Sequence, residues 1–451
     1  MKLLLSCSAL LALSAAPALY ALDMAHPHTV HKTKAAQSHT GQSHAGAKKA
    51  GAGHTAAATR SAAATHAAGR AAGHAAGHIG GHAATTVAAG RAAGQAPHGR
   101  VRRAALASRR HHTVYERFTA SSFVTTAQGD GDITTGEDPT IRAAAIDALG
   151  NMNGTALVIN PANGRILAMV NQRMALSPGA EPCSTIKLSV GLAALSEGLV
   201  TRDTMVNLGG FRMNLTEALA HSNNLYFEEM GRELGFERVR HYATQFGLGE
   251  LAGYNIQGEQ LGVYPDHELP AAQGGVGRMC SFGESVSMTP LQLGALVSAI
   301  ANGGTLYYLQ HPTSAQEVAD FQPRVKRTLE IGKYIPDLQD GMAGAVEYGT
   351  ARSLRVNFHE LPVFGKTGTC SNAGTRYGWF ASYSDSPQGA LVTVFFLEGG
   401  RPVFGPRAAE LTGLFYRSLW DRNYFTGKPS EIQAANAVSA TSLTTGAAVK
   451  H

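Results

Sequence analysis

Three short stretches of the 451-residue chain carry side chains whose types and spacing could do chemistry together. The first is Ser184-Thr185-Ile186-Lys187. On a helix, Lys187 would lie about one turn from Ser184 on the same face. Its neighbours Ile186, Leu188 and Val190 are apolar, so its ammonium would be desolvated. Burial lowers a lysine pKa, and an uncharged amine is a usable base for an adjacent hydroxyl. A serine at a helix start also meets free N–H groups and a dipole that favour developing negative charge. That is the chemistry of nucleophilic acyl transfer. The second stretch, Ser222-Asn223-Asn224, offers a hydroxyl to relay a proton and an amide to hold a substrate. The third is Lys366-Thr367-Gly368, with Val363 and Phe364 before it. Lysine, threonine and glycine make a poor strand, but the first two can hold a carboxylate and the glycine allows close backbone approach. Each stretch alone also has a plain structural reading: an N-cap serine with a snorkelling lysine, a capped helix-to-loop boundary, and an edge strand with a charge.

Positioning these residues requires a fold. Asp138-Pro139 opens a helix that runs to Leu149. TALVIN, Pro161-Ala162-Asn163-Gly164 and RILAMV form a β-hairpin signal. Ser184 to Leu199 reads as an apolar helix and Leu215 to Leu234 as a helical region. Leu291 to Ala301 reads as a helix stopped by Asn302-Gly303-Gly304. VFGKTGTC, YGWFASY and ALVTVFFLEG read as consecutive strands, followed by a helix from Ala408 to Trp420. A hairpin, a helical middle, three strands and a helix imply an α/β chain of the α+β type, one sheet with helices segregated around it.

Composition sets the limits of that domain. Residues 1–22 read as an export signal or membrane anchor: Met1-Lys2, an apolar Leu3 to Ala16, and small residues at Ala16-Pro17-Ala18. Residues 23–112 are Ala-, Gly- and His-rich with almost no large apolar side chains, and read as a disordered basic linker. Met24 to His112 hold twelve Lys and Arg, no Asp or Glu, and thirteen of the nineteen His. A metal-binding tract is the alternative for those histidines; their irregular spacing and lack of cysteine or acid argue against it. The linker suits loose contact with anionic wall polymer or membrane. From Thr113 onward 25 basic and 31 acidic residues leave a net charge of −6, which argues against a nucleic-acid partner. Residues 113–425 are the catalytic domain expected here, and 426–451 a flexible tail. The chemistry calls for no cofactor and no metal.

The three motifs, in this order, resemble the penicillin-binding protein transpeptidase domain of the serine acyltransferase and β-lactamase-like superfamily. The resemblance runs from about residue 138 to 420. It includes DPTIRAAAIDAL with ALVINPANGRILAMV, EPCSTIKLSVGLAALSEG, LTEALAHSNNLYFEEMGRELG, FGLGELAGYNIQGE, SMTPLQLGALVSAIANGG, GMAGAVEYGTA and RYGWFASY. It implies an antiparallel sheet with helices packed around it and a helical subdomain. It implies Ser184 as the acylated nucleophile, Lys187 as its base, and Ser222, Asn224, Lys366, Thr367 and Gly368 along the cleft. The N–H groups of Ser184 and Thr369 would form the oxyanion hole. The substrates so implied are a peptidoglycan stem peptide and β-lactam antibiotics, met in the periplasm or at the outer face of the cytoplasmic membrane.

Two departures from the family pattern are cysteines. Cys183 stands where a glycine is usual before the nucleophile, and Cys370 follows Thr369. If the N–H groups of Ser184 and Thr369 face one oxyanion, as the resemblance implies, these neighbours lie close. A Cys183–Cys370 disulfide is therefore expected, with Cys280 unpaired; two buried thiols are the alternative. A bridge at corresponding positions occurs in some class A carbapenem-hydrolysing β-lactamases. The leading functional expectation is D,D-transpeptidase or carboxypeptidase activity. The alternatives are a serine β-lactamase, for which no persuasive glutamate loop is present, and a non-turnover β-lactam sensor or wall-binding protein.

Overall fold

The computed structural model describes residues 119–426. The export segment, the basic linker with its histidine tract and the tail from residue 427 lie outside the described residues.

The strands are β1 (Gly154–Asn160), β2 (Arg165–Val170), β3 (Val206–Asn207), β4 (Arg212–Met213), β5 (Thr305–Tyr307), β6 (Val325–Thr328), β7 (Val363–Asn372), β8 (Thr375–Ser384) and β9 (Leu391–Gly399). The helices are α1 (Pro139–Leu149), α2 (Gln172–Ala175), α3 (Lys187–Ser196), α4 (Leu215–Ala220), α5 (Asn224–Leu234), α6 (Phe236–Gln245), α7 (Gly275–Phe282), α8 (Pro290–Ala301), α9 (Ala315–Ala319), α10 (Ile335–Glu347) and α11 (Gly405–Asp421). Five strands form one antiparallel sheet in the order β2-β1-β9-β8-β7. The first and last strands thus meet at the centre of the sheet, where β1 pairs with β9.

The central strands read as continuous apolar runs because both faces of the sheet are covered. Ala156 and Val158 of β1 join Phe395 and Leu397 of β9 in a core closed by α1 and α11. Leu157, Ile159, Val392, Val394 and Phe396 point the other way, into a larger core shared with α3, α5 and α8. Helix α8 sits close on that face at Gly294, where a Cβ would come within 2.6 Å of the Ile159 side chain.

Local signals set the boundaries. The Asp138 carboxylate accepts hydrogen bonds from the N–H groups of Thr140 and Ile141, with Pro139 at the first helical position. Thr289 and Gln292 form a reciprocal capping box at the start of α8. The β1–β2 turn uses Gly164 at φ +75°, pressed against Tyr307 and Tyr308, so a side chain there would clash. Among the described residues no helix is long and apolar enough to cross a membrane.

Two expected helices differ in detail. The helix expected to start at Ser184 opens as a 3₁₀ turn, Cys183–Ile186, and becomes α-helical at Lys187. The helical region from Leu215 to Leu234 is two helices, interrupted at His221–Asn223. There Ser222 takes φ +54° and Asn223 caps α5 by accepting from Tyr226 N–H. Both interruptions fall at the motifs, where the backbone bends to aim a side chain.

Candidate active site

The turn that carries Ser184 begins at Cys183, whose φ of +52° lies in the region that favours glycine. The 3₁₀ turn stacks residues three apart almost directly above one another. Lys187 Nζ accordingly lies 2.7 Å from Ser184 Oγ. Nζ also lies 2.8 Å from Asn224 Oδ1 and 2.6 Å from the Ser281 carbonyl oxygen. Lys187 has no solvent exposure, and the rings of Phe227 and Phe282 flank its Nζ at 5.7 and 5.8 Å. Burial holds its pKa well below the ordinary lysine range; the Lys366 charge lowers it further and Glu228 partly opposes this. Nζ donates to Ser184 Oγ, Asn224 Oδ1 and the Ser281 carbonyl; in the neutral amine, two N–H groups satisfy the latter two and the lone pair is left for the Ser184 hydroxyl proton.

A second buried lysine lies nearby. Lys366, on the outer edge strand β7, is fully buried, and Nζ donates to Ser222 Oγ at 2.8 Å and to the Thr367 carbonyl at 3.0 Å. Burial pulls its pKa down to about 7. The Thr367 hydroxyl is 2.7 Å from that of Thr350. At Gly368 a Cβ would fall 2.8 Å from the Pro182 carbonyl oxygen and 3.1 Å from Thr185 Cγ2, so only glycine lets β7 approach the nucleophile turn this closely. Thr369 is exposed, and its hydroxyl accepts from Gly405 N–H at 2.7 Å.

A disulfide joins Cys183 to Cys370, with a Cα–Cα distance of 5.5 Å, and so ties the nucleophile turn to β7. Cys280 is a buried free thiol whose pKa burial pushes up. Beside the bridge, Trp379 Nε1 donates to the Glu181 carbonyl at 3.0 Å.

The structure thus groups Ser184, Lys187 and Asn224 around one amine, and Ser222 and Lys366 around the other. Thr367, Gly368 and Thr369 follow Lys366 along β7. Sequence reasoning missed two contributors. Ser281 acts through its carbonyl, which leaves no side-chain signature. Thr350 lies within GMAGAVEYGTA, a segment legible only by resemblance.

An active-serine domain, with a serine–lysine turn under a Lys-Thr-Gly edge strand, is the class this fold and geometry define. Residues 154–402 match the family model described as the penicillin binding protein transpeptidase domain, and the chain belongs to that family. Stage V sporulation protein D of Bacillus subtilis is 30% identical over 258 residues, covering 48% of this chain and 39% of that protein. Peptidoglycan D,D-transpeptidase MrdA of Acinetobacter baumannii is 23% identical over 381 residues, covering 66% and 54%. The chain spans less than two thirds of the length of these relatives. Among solved structures, a peptidoglycan glycosyltransferase from Burkholderia ambifaria superposes with a TM-score of 0.56 at 18% identity, covering 66% of this chain and all of that one. The transpeptidase domain of Burkholderia pseudomallei penicillin-binding protein 3 gives 0.55 at 19% identity, covering 65% and 98%. These likenesses concern the fold.

Proposed function

We propose that this protein is an exported, penicillin-sensitive D,D-transpeptidase or carboxypeptidase that acts on peptidoglycan stem peptides through an acyl-enzyme on Ser184. The observation that carries the reading is the 2.7 Å contact between Ser184 Oγ and a buried Lys187 whose other two hydrogen bonds go to acceptors. In acylation the hydroxyl proton passes to Lys187 Nζ while Oγ bonds to the D-Ala carbonyl carbon. The leaving amine takes a proton from Ser222, which is resupplied by protonated Lys366 through their 2.8 Å contact. Lys187 ends protonated and Lys366 neutral. An incoming amine or water reverses both transfers and returns the proton to Ser184. The N–H groups of Ser184 and Thr369 serve as oxyanion donors, a role supported by the 5.5 Å Cα spacing of their neighbours Cys183 and Cys370. Thr367 and Lys366 meet the terminal carboxylate.

Export is supported by the apolar Leu3 to Ala16 run and by a disulfide, which persists in oxidising compartments. The basic segment 24–112 is assigned to loose contact with anionic wall polymer or membrane, and nucleic acid is not a partner in this reading.

Mass spectrometry of the penicillin-treated protein tests it. The expected result is one penicilloyl adduct on the peptide containing Ser184, stable over minutes and absent in Ser184→Ala. No adduct, or an adduct elsewhere, overturns the assignment; rapid turnover of the adduct would make the protein a β-lactamase instead.

A further inference from the structure

Two neighbouring segments hold the two halves of the Ser184–Lys187 pair. Residues 178–183 lead into the turn that carries Ser184. Residues 281–288 leave the end of α7, where the Ser281 carbonyl lies 2.6 Å from Lys187 Nζ and the Phe282 ring 5.8 Å from it. The segments run antiparallel against each other. Ala180 N–H donates to the Met288 carbonyl at 3.1 Å, and Met288 N–H returns the bond at 2.9 Å. Ser287 Oγ donates to the Pro178 carbonyl at 2.7 Å. Gly283 packs so tightly that a Cβ on it would fall 2.5 Å from Pro182 Cγ. The first segment is also pinned to the sheet, by Trp379 Nε1 on the Glu181 carbonyl and by the Cys183–Cys370 bridge.

Arg278 lies across this joint. It precedes Phe282 by one turn of α7, and its guanidinium carbon stands 3.9 Å from the centre of the Phe282 ring. Its Nη2 pairs with Glu284. Glu181, between the contacts made by Ala180 and Pro182, brings a second carboxyl to the same place. Burial pushes its pKa up, the facing Glu284 adds to this, and Arg278 pulls it back. One guanidinium thus compensates two carboxylates, one from each segment. Arg278 is 38% exposed and Glu284 29%, so their pairing contributes little to overall stability. Its consequence is positional. Without the guanidinium the two carboxylates would repel where the segments meet. Ser281 and Phe282 directly precede Gly283 and Glu284, so an opened joint would carry the carbonyl and the ring away from Lys187. We infer that Arg278 is a positioning residue for acylation: by closing the Glu181–Glu284 joint it holds Ser281 and Phe282 against Lys187, and so keeps the amine oriented toward Ser184 and out of water. It acts through Lys187, and this rests on the acyl-enzyme reading of Ser184. A shift of about 1 Å at such a centre is enough to slow the chemistry.

The test uses the full chain and penicillin. Arg278→Gln should slow acylation of Ser184 several-fold at saturating penicillin, with the half-saturating concentration and the melting temperature little changed. Arg278→Lys keeps the charge and should acylate close to the wild-type rate. Glu284→Gln added to Arg278→Gln should recover most of the loss, because the facing carboxylates are then reduced to one. Hydrogen exchange at the Ala180 and Met288 amides should quicken in Arg278→Gln and return toward wild type in the double variant, whether or not Ser184 reacts. An Arg278→Gln chain that acylates like the wild type overturns the role. So does a loss that neither the lysine substitution nor the double variant recovers, or an exchange pattern unchanged by Arg278→Gln. A wild type whose Ser184 takes no penicilloyl group overturns the reading beneath it, and the exchange comparison still decides the joint.

Discussion

Lys187 Nζ and Asn224 Oδ1 lie 2.8 Å apart, and that contact orients the amine rather than merely neighbouring it. Lys187 begins α3 and Asn224 begins α5, so the amine is held where two helix starts meet. Asn224 accepts one N–H and the Ser281 carbonyl another, which turns the remaining position on nitrogen toward Ser184.

Changing that acceptor in a nearly isosteric way should therefore disable the base. Asn224→Asp places an anion against the amine, which favours the ammonium form and raises its pKa. Penicillin acylation at pH 7 should slow by about 10²- to 10⁴-fold, the usual worth of a general base, and the deficit relative to the wild type at the same pH should narrow as pH rises. Lys187→Arg, charged at any accessible pH, should be as slow with no recovery. Stopped-flow acylation across pH checks both.

Lys366 should govern the alkaline side. It must be protonated to resupply Ser222, and its pKa is about 7. As pH rises through that value the protonated fraction falls, so the second-order acylation constant of the free enzyme should decline toward tenfold per unit well above it. Lys366→Arg keeps its charge and should lose the declining limb while lowering the plateau. A wild-type profile that stays flat from pH 7 to 9 would contradict this role for Lys366.

The disulfide closes a loop with a sequence separation of 187. In the chain-entropy account long loops of this kind are worth up to about 5 kcal/mol. Replacing Cys183 and Cys370 together by alanine should lower the melting temperature. It should also slow acylation, because Cys183 precedes the nucleophile and Cys370 adjoins Thr369. Peptide mapping after alkylation without reductant should label Cys280 alone among Cys183, Cys280 and Cys370, and only after denaturation because that thiol is buried.

Gly368→Ala tests the approach of β7 to the nucleophile turn. The added Cβ would stand 2.8 Å from a backbone oxygen, which must move to relieve it. A stability loss of about 1–3 kcal/mol by denaturant titration is expected, together with slower acylation. An alanine variant as stable and as fast as the wild type would show that the spacing is not limiting.

Much of the centre was legible because its geometry is local. Ser184 and Lys187 are three residues apart, and helical spacing of either kind brings them together. The hairpin around Asn163-Gly164 and the Asp138-Pro139 helix start carry turn and cap chemistry that reads directly from sequence. The strands VFGKTGTC, YGWFASY and ALVTVFFLEG were plain as well. Other features depend on tertiary contacts. The 3₁₀ turn Cys183–Ile186 is tethered to β7 through the Cys183–Cys370 bridge, a contact that propensity does not report. A break at His221–Asn223 is legible only as the plain helix-to-loop reading of Ser222-Asn223-Asn224; LTEALA and NLYFEEMGREL both read as helix, and the left-handed Ser222 that parts them has no local signature. The sequence patterns do not delimit helices α6, α7 and α10, nor, with α7, the Ser281 carbonyl. Cys183 and Cys370 were paired through a family resemblance rather than from spacing.

The strand bearing Lys366 has nothing hydrogen-bonded to its far border within the sheet. A border of that kind invites any extended chain to zip onto it, including an identical molecule. In the proposed function a stem peptide meets Lys366 and Thr367 on this strand, so its border cannot simply be sealed. Glycines at 365 and 368 make the strand a poor self-template, so the same Gly368 that lets β7 approach the Ser184 turn also discourages fibril-like stacking.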